Sequence, residues 1–186
     1  MSINLKMLFF ESRAASFRPV ATGSRKKAPQ QWPHESPTPE ALANAGFYYK
    51  PQTDSNDNVV CFMCKKNLNG WVPDDDPIQE HYIHAQECPW AVTCHCRQEA
   101  LRVKKARDND EAVTLDHDVK SDTFLEAREK TFGNMWPHEK KKAWVGKLKK
   151  MAQAGLYFTP TPTSDDFVCC VYCELGLDGW ERQDDP

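Results

Sequence analysis

The amino-acid sequence predicts a small α+β architecture. Two tandem modules are expected, each a short antiparallel sheet surrounded by helices, and the second stops before it is complete. Three observations lead there. The chain repeats itself, its cysteines fall into clusters, and turn-forming residues punctuate short apolar runs.

The repeat comes first because it sets the organisation. Ala45-Gly46-Phe47-Tyr48-Tyr49, Val60-Cys61-Phe62-Met63-Cys64, Leu68-Asn69-Gly70-Trp71 and Asp75-Asp76-Pro77 recur as Ala154-Gly155-Leu156-Tyr157-Phe158, Cys169-Cys170-Val171-Tyr172-Cys173, Leu177-Asp178-Gly179-Trp180 and Asp184-Asp185-Pro186, at a constant offset of 109. Upstream, Trp32-Pro33-His34-Glu35 matches Trp136-Pro137-His138-Glu139 at the shorter offset of 104. A few extra residues are therefore expected in the first helix of the second copy. Arg13-x-x-Ser16-Phe17 likewise matches Arg128-x-x-Thr131-Phe132. Chance does not keep so many anchors in one order. The second copy ends before it reaches partners for His81 and Cys88, so the sequence reads as a piece of a longer protein.

Each element follows from local signals. Pro39 to Ala45 is expected to be a short helix closed by Gly46. The polar turn Asp54-Ser55-Asn56-Asp57 leads into a strand from Asn58 to Phe62, and Leu68 to Val72 should form a second strand. Asp74-Asp75-Asp76-Pro77 starts a helix, since acids suit the positive end of its dipole and proline fits the first turn. That helix carries His81 and His84 towards Cys88. Leu101 to Thr123 is rich in charge and has no aromatic residue, which marks a linker, either disordered or a solvated helix. Arg18 to Gln31, with Gly23-Ser24-Arg25-Lys26-Lys27, reads as a flexible loop. The expected domains are thus residues 8–100, a linker at 101–123, and residues 124–186.

Composition limits the function classes. The chain has 186 residues, 40% of them hydrophobic and 27% charged, with a formal net charge of −3. That balance gives no expectation of direct nucleic-acid binding, which normally goes with a strongly basic domain. Apolar runs fall well short of the roughly 20 residues of a membrane span. The start from Met1 to Phe10 lacks a long apolar core and a small-residue cleavage site, so it does not read as a secretory signal. With no such signal, eight cysteines point to metal rather than disulfides.

Cys61 and Cys64 have the two-residue spacing of a zinc knuckle. His81 and Cys88 follow at distances that a helix and a return of the chain can close. Three thiolates and one imidazole fill a tetrahedron with no open position, the pattern of structural rather than catalytic zinc. A module this small has a marginal core, so the ion is expected to supply much of its folding energy. The second copy offers Cys170 and Cys173. Cys94-His95-Cys96 cannot all reach one ion, and Cys94 and Cys96 read as helix-face residues. Cys169 aligns with Val60 and reads as a packing residue.

These residues resemble the inhibitor-of-apoptosis repeat (BIR) family. Its pattern appears here as Arg13, Phe17, Trp32-Pro33, Gly46-Phe47-Tyr48, Cys61, Cys64, Gly70-Trp71, Asp76-Pro77, His81 and Cys88. It covers about residues 8–95 and again 124–186. The resemblance implies a three-stranded antiparallel sheet among helices. The run from Gly70 to His81 is most similar to survivin-like members, including the tandem-repeat forms of fungi. For these the resemblance implies a subunit of the chromosomal passenger complex that binds a histone tail bearing phosphothreonine. It would act with a mitotic kinase at centromeres and spindle in the nucleus, with cytoplasm possible. Carried over by position, Trp71 and Asp75 match groove residues that hold a free N-terminal alanine. Asn69 stands where a glutamate is expected, and Lys66 and His84 match phosphate contacts.

Two other functions compete. One is a caspase-binding inhibitor of the same family. The other is an enzyme with a Cys–His pair, disfavoured because those thiols are expected to hold metal and no phosphate loop or nucleophile elbow appears.

Overall fold

Short, punctuated apolar runs give short elements. In the computed structural model, which describes residues 3–19, 31–113 and 121–186, the first repeat begins with a 3-10 turn at Leu5–Met7 and helix α1 at Phe10–Ala15. Helix α2, Pro39–Asn44, has Thr38 as N-cap, whose hydroxyl accepts the Ala41 N–H at 3.2 Å, and Pro39 in its first turn. Gly46 ends it at φ +96, where a side chain would be strained. Strands β1, Phe47–Tyr49, β2, Val59–Cys61, and β3, Asn67–Leu68, form an antiparallel sheet in that order, with Phe47 opposite Cys61 and Val59 opposite Leu68. Helix α3 is Pro77–His84, and its N-cap Asp76 accepts from Ile78 and Gln79 at 2.8 and 3.3 Å. Helix α4, Pro89–Asp108, follows at once.

The second repeat builds the same frame. Helix α5 is Asp122–Phe132 and helix α6 is Leu148–Gln153. Strands β4, Leu156–Phe158, β5, Val168–Cys170, and β6, Gly176–Leu177, pair in the register of the first sheet, with Leu156 opposite Cys170. The three-stranded α+β module expected from the sequence is thus present twice. Contact density divides the chain into Met1–Gln86 and Glu87–Pro186, so α4 is counted with the second unit, where it packs on α5.

Two local readings are revised and one is narrowed. The strand expected from Leu68 to Val72 stops at Leu68, because the Gly70 and Trp71 N–H groups go to a carboxylate rather than to a ladder partner. Of the two readings of the charged stretch from Leu101, the helical one holds as far as Asp108, and this helix is the continuation of α4 rather than a separate element. The extra residues of the second copy are not in its first helix between the matched anchors. They lie between Glu139 and Lys147, where Lys140–Gly146 replaces Ser36-Pro37. The loop expected at Arg18 to Gln31 falls mostly outside the described residues, as do residues 114–120.

One buried guanidinium organises each repeat. Arg13 is 1% exposed; its Nε donates to the Ala43 carbonyl at 2.8 Å, and Nη1 donates to Met7 and Leu8 at 3.0 and 2.7 Å. Its plane lies 4.6 Å from the centre of the Phe62 ring, a cation–π contact. Arg128 repeats the theme, donating from Nε to Ala152 at 3.0 Å, with its ring partner moved one residue on: Tyr172, which aligns with Met63, lies 5.9 Å away. One turn on, Ser16 accepts the Tyr49 N–H at 2.8 Å, and Thr131 accepts that of Phe158 at 2.9 Å. The following aromatics fill the cores: Phe17 packs on Trp32 and Tyr49, and Phe132 on Trp136 and Phe158.

Lysine cannot reproduce this fork of donors. Arg13→Lys is expected to leave at least one buried carbonyl without its charged donor, a cost of about 2 kcal/mol. A urea titration followed by circular dichroism checks this as a lowered midpoint.

Candidate metal centre and adjoining groove

Strand β2 delivers Cys61 at its end, and the chain turns at once. The Met63 and Cys64 N–H groups point back at the Cys61 sulfur at 3.3 and 3.4 Å, and Lys65 closes the turn at φ +66. Such N–H groups stabilise a thiolate. His81, fully buried on α3, has Nδ1 2.7 Å from the Ala45 carbonyl. Only an N–H can share a proton with that oxygen, so Nδ1 is the donor and Nε2 carries the free lone pair. Nε2 lies 3.6 Å from the Cys64 sulfur. Cys88, 1% exposed, is the residue that starts α4.

The donor atoms of Cys61, Cys64, His81 and Cys88 all lie within 4.8 Å of one another. A tetrahedral ion with metal–sulfur bonds of about 2.3 Å and metal–nitrogen bonds of about 2.0 Å needs donors roughly 3.5–3.8 Å apart. The residues therefore fit a four-coordinate metal with no vacant position for a substrate.

The second repeat presents fewer donors. Cys170 is half-buried and Cys173 exposed, and among the described residues no third candidate ligand joins them. Cys94 and Cys96 are buried on α4. Burial pushes the Cys96 thiol up to about 11, against the opposing pull of Arg128, whose Nη1 is 3.9 Å from the sulfur. That thiol stays protonated, as befits packing rather than coordination. Cys169, half-buried, has its sulfur 3.4 Å from the Glu174 carbonyl.

Beside α3 a groove of about 270 Å³ is lined by Leu68, Asn69, Gly70, Trp71, Val72, Asp75, Glu80 and His84. Four of the five residues assigned to peptide binding from the sequence meet here: Asn69, Trp71, Asp75 and His84. Lys66 is exposed on the strand side and does not line it. Trp71 is no open platform: it is 5% exposed and packs edge-on to Phe47. It forms a wall whose indole N–H has no acceptor among the described residues. Asp75 accepts the Val72 N–H at 2.9 Å. Glu80, not anticipated, pairs with His84 at 3.5 Å; their separation of four residues on one helix face was the available signal.

The Gly70–Trp71 rim is held from behind by Asp57. One carboxylate oxygen accepts from Gly70 at 2.8 Å and Trp71 at 2.9 Å, and His34 Nε2 lies 3.3 Å away; Ser55 donates to the other oxygen at 3.0 Å. Asp166 meets the four equivalent residues, with Gly179 and Ser164 donating to one oxygen and Trp180 donating to the other, beside His138. Burial raises each carboxyl, but these donors outweigh it and hold both below the usual carboxylate range. Asp57 and Asp166 share the offset of 109, so the repeat itself was the signal.

Comparison with known proteins agrees with this frame. A family model described as "Inhibitor of Apoptosis domain" (BIR) matches residues 13–92 and 128–186. The chromosomal passenger complex protein bir1 of Schizosaccharomyces pombe is 36% identical over 84% of this chain. Baculoviral IAP repeat-containing protein 3 of Canis lupus familiaris is 38% identical over 84%. The chain spans 15% and 22% of the lengths of these two relatives. The solved DIAP1 BIR1 bound to a Grim peptide aligns with 45% of this chain and 71% of its own, at 26% identity and a TM-score of 0.35.

Two outcomes are expected. Cobalt added to the metal-free chain should give the visible spectrum of a tetrahedral thiolate site; Cys88→Ser should degrade it and Cys94→Ser leave it unchanged. Because Asp57 and Asp166 have depressed carboxyl values, their contribution is complete above the unfolded value of about 4 and is lost as pH falls through the folded value. Asp57→Asn with Asp166→Asn should therefore flatten the loss of urea stability between about pH 5 and pH 3.

Proposed function

The chain belongs to the inhibitor-of-apoptosis (BIR) family, and we propose that it is a zinc-stabilised adaptor whose first module captures a short peptide. The ion held by Cys61, Cys64, His81 and Cys88 is zinc, chosen by three soft thiolates and an imidazole in a closed tetrahedral set. It is structural: it fixes the end of β2, the inner face of α3 and the start of α4 as one unit. Residues 8–100 form this module and 124–186 the second, whose Cys170 and Cys173 are half of a comparable set.

The ligand is a peptide with a free N-terminus followed closely by phosphothreonine, of the kind a histone tail presents. The groove itself supports this most. Trp71 and the acids Asp75 and Glu80 line one depression with His84, so a cation and an anion can be met a few ångströms apart. His84 takes the phosphate, since an imidazolium gives a charge-assisted hydrogen bond. Lys66, lying outside the lining, acts as a more distant cation. Asn69 leaves the ammonium pocket with one acid fewer. The named chromosomal passenger relative favours a role in that complex beside a mitotic kinase, at the nuclear centromere and spindle. The several relatives named as inhibitors of apoptosis keep a caspase-binding role as the second reading.

Calorimetric titration of phosphorylated and unphosphorylated histone-tail peptides tests this. His84→Ala should weaken the phosphorylated peptide by about 1.5–3 kcal/mol, roughly 10-fold to 150-fold, and spare the unphosphorylated one. Glu80→Gln should weaken both, and Asn69→Glu should tighten both. Equal losses on His84→Ala would remove the phosphate role. Binding of a caspase but neither peptide would favour the second reading.

A further inference from the structure

Between matched anchors the second module is longer than the first at one place, and the addition is basic. Between Glu139 and Lys147 it has Lys140–Gly146, where the first has only Ser36 and Pro37. The frame beneath is unchanged: the Trp136 indole donates to the Gly146 carbonyl at 2.9 Å, as that of Trp32 does to Pro37 at 3.0 Å. The added residues form a bulge in which Lys140, Lys141, Lys142 and Ala143 are exposed.

The bulge is built rather than loose. The Lys147 ammonium donates to the carbonyls of His138, Glu139 and Lys141. The Trp144 ring lies flat on His138, 4.1 Å away at 11°. Lys141 Nζ reaches His138 Nδ1 at 2.9 Å and covers Trp144 at 4.6 Å. Ala143 is held at φ +54, a conformation that alanine rarely adopts, and Arg182 Nε donates to its carbonyl at 3.3 Å.

This scaffold consumes some charges and leaves others. Lys141 and Lys147 build the turn, and Lys150 pairs with Asp185 at 2.6 Å. Lys140, Lys142, Lys149 and Arg182 are exposed and have no acidic partner among the described residues. The nearby acids are largely committed: Glu139 accepts the Leu148 N–H, Asp184 that of Glu181, and Asp185 holds Lys150, which leaves Glu181.

We propose that this bulge binds the phosphate backbone of a nucleic-acid duplex without regard to sequence. What it presents is charge alone, since its one aromatic ring is already covered by His138 and Lys141. Ammonium and guanidinium groups on a preformed turn suit a polymer with one negative charge per roughly 1.7 Å of axis, where any register supplies phosphates. Such contacts position a protein and carry no sequence information. The net charge of −3 gave no expectation of this, because the basic surface is local.

Fluorescence anisotropy of a short labelled DNA duplex with the full chain tests it across a salt series. Each engaged cation contributes about 0.9 to the negative slope of log affinity against log salt, so four give about −3.6. The variant K140Q/K142Q/K149Q should lose about 2.7 of that slope and bind at least tenfold more weakly at low salt. Changing Lys6 and Lys50 to Gln, which removes two exposed cations elsewhere, should leave the slope unchanged. Absence of binding at low salt, or an unaltered slope in the triple variant, overturns the proposal. Competition by polyglutamate as effective as that by unlabelled duplex also overturns it, and makes the bulge a surface for acidic protein.

Discussion

A buried guanidinium is the constraint on which each repeat depends. Arg13 and Arg128 each take an aromatic ring from the segment after β2 or β5 and the carbonyl oxygen of the next-to-last residue of α2 or α6. A charge taken out of water must be satisfied locally, and here backbone carbonyls satisfy it. The consequence is positional. Helix end, sheet end and N-terminal helix meet at one point, so the two cysteines of the turn and the carbonyl of Ala45 are in place before any ion is considered. The second repeat reaches the same strand register with only Cys170 and Cys173 as donors among its described residues. In both repeats arginine and aspartate tie these elements together, and in the first His81 and Cys88 complete a donor set on that frame.

Much of this was legible because it was repeated. Donor spacing in the first copy identified Cys61, Cys64, His81 and Cys88 as one set, and the family pattern predicted the sheet. The groove was legible only in part. Lys66 follows the turn closely in sequence, yet it is exposed just ahead of β3 and outside the lining of the depression; spacing alone does not report which residues of a turn face a groove. Trp71 sits beside acids in sequence but is buried against Phe47, a contact made across the module.

The readings that failed share a physical cause. Strand β3 ends early because Asp57, more than ten residues upstream, captures the Gly70 and Trp71 N–H groups. Alternation of apolar residues cannot report a competitor that arrives through folding. The change of offset between Trp136 and Ala154 gave the number of added residues but not their place, since a helix and a turn absorb an insertion equally well in a sequence.

The Glu80–His84 pair has a consequence for selection. In the free groove Glu80 and His84 lie 3.5 Å apart on one helix face, an ion pair whenever the imidazole carries a proton. Both side chains remain open to water, so parting them costs little. A guest that brings both signs at matching separation exchanges one pair for two. For the peptide proposed above, each half of the pair would answer a different group of the guest, so that its two charges add to affinity separately.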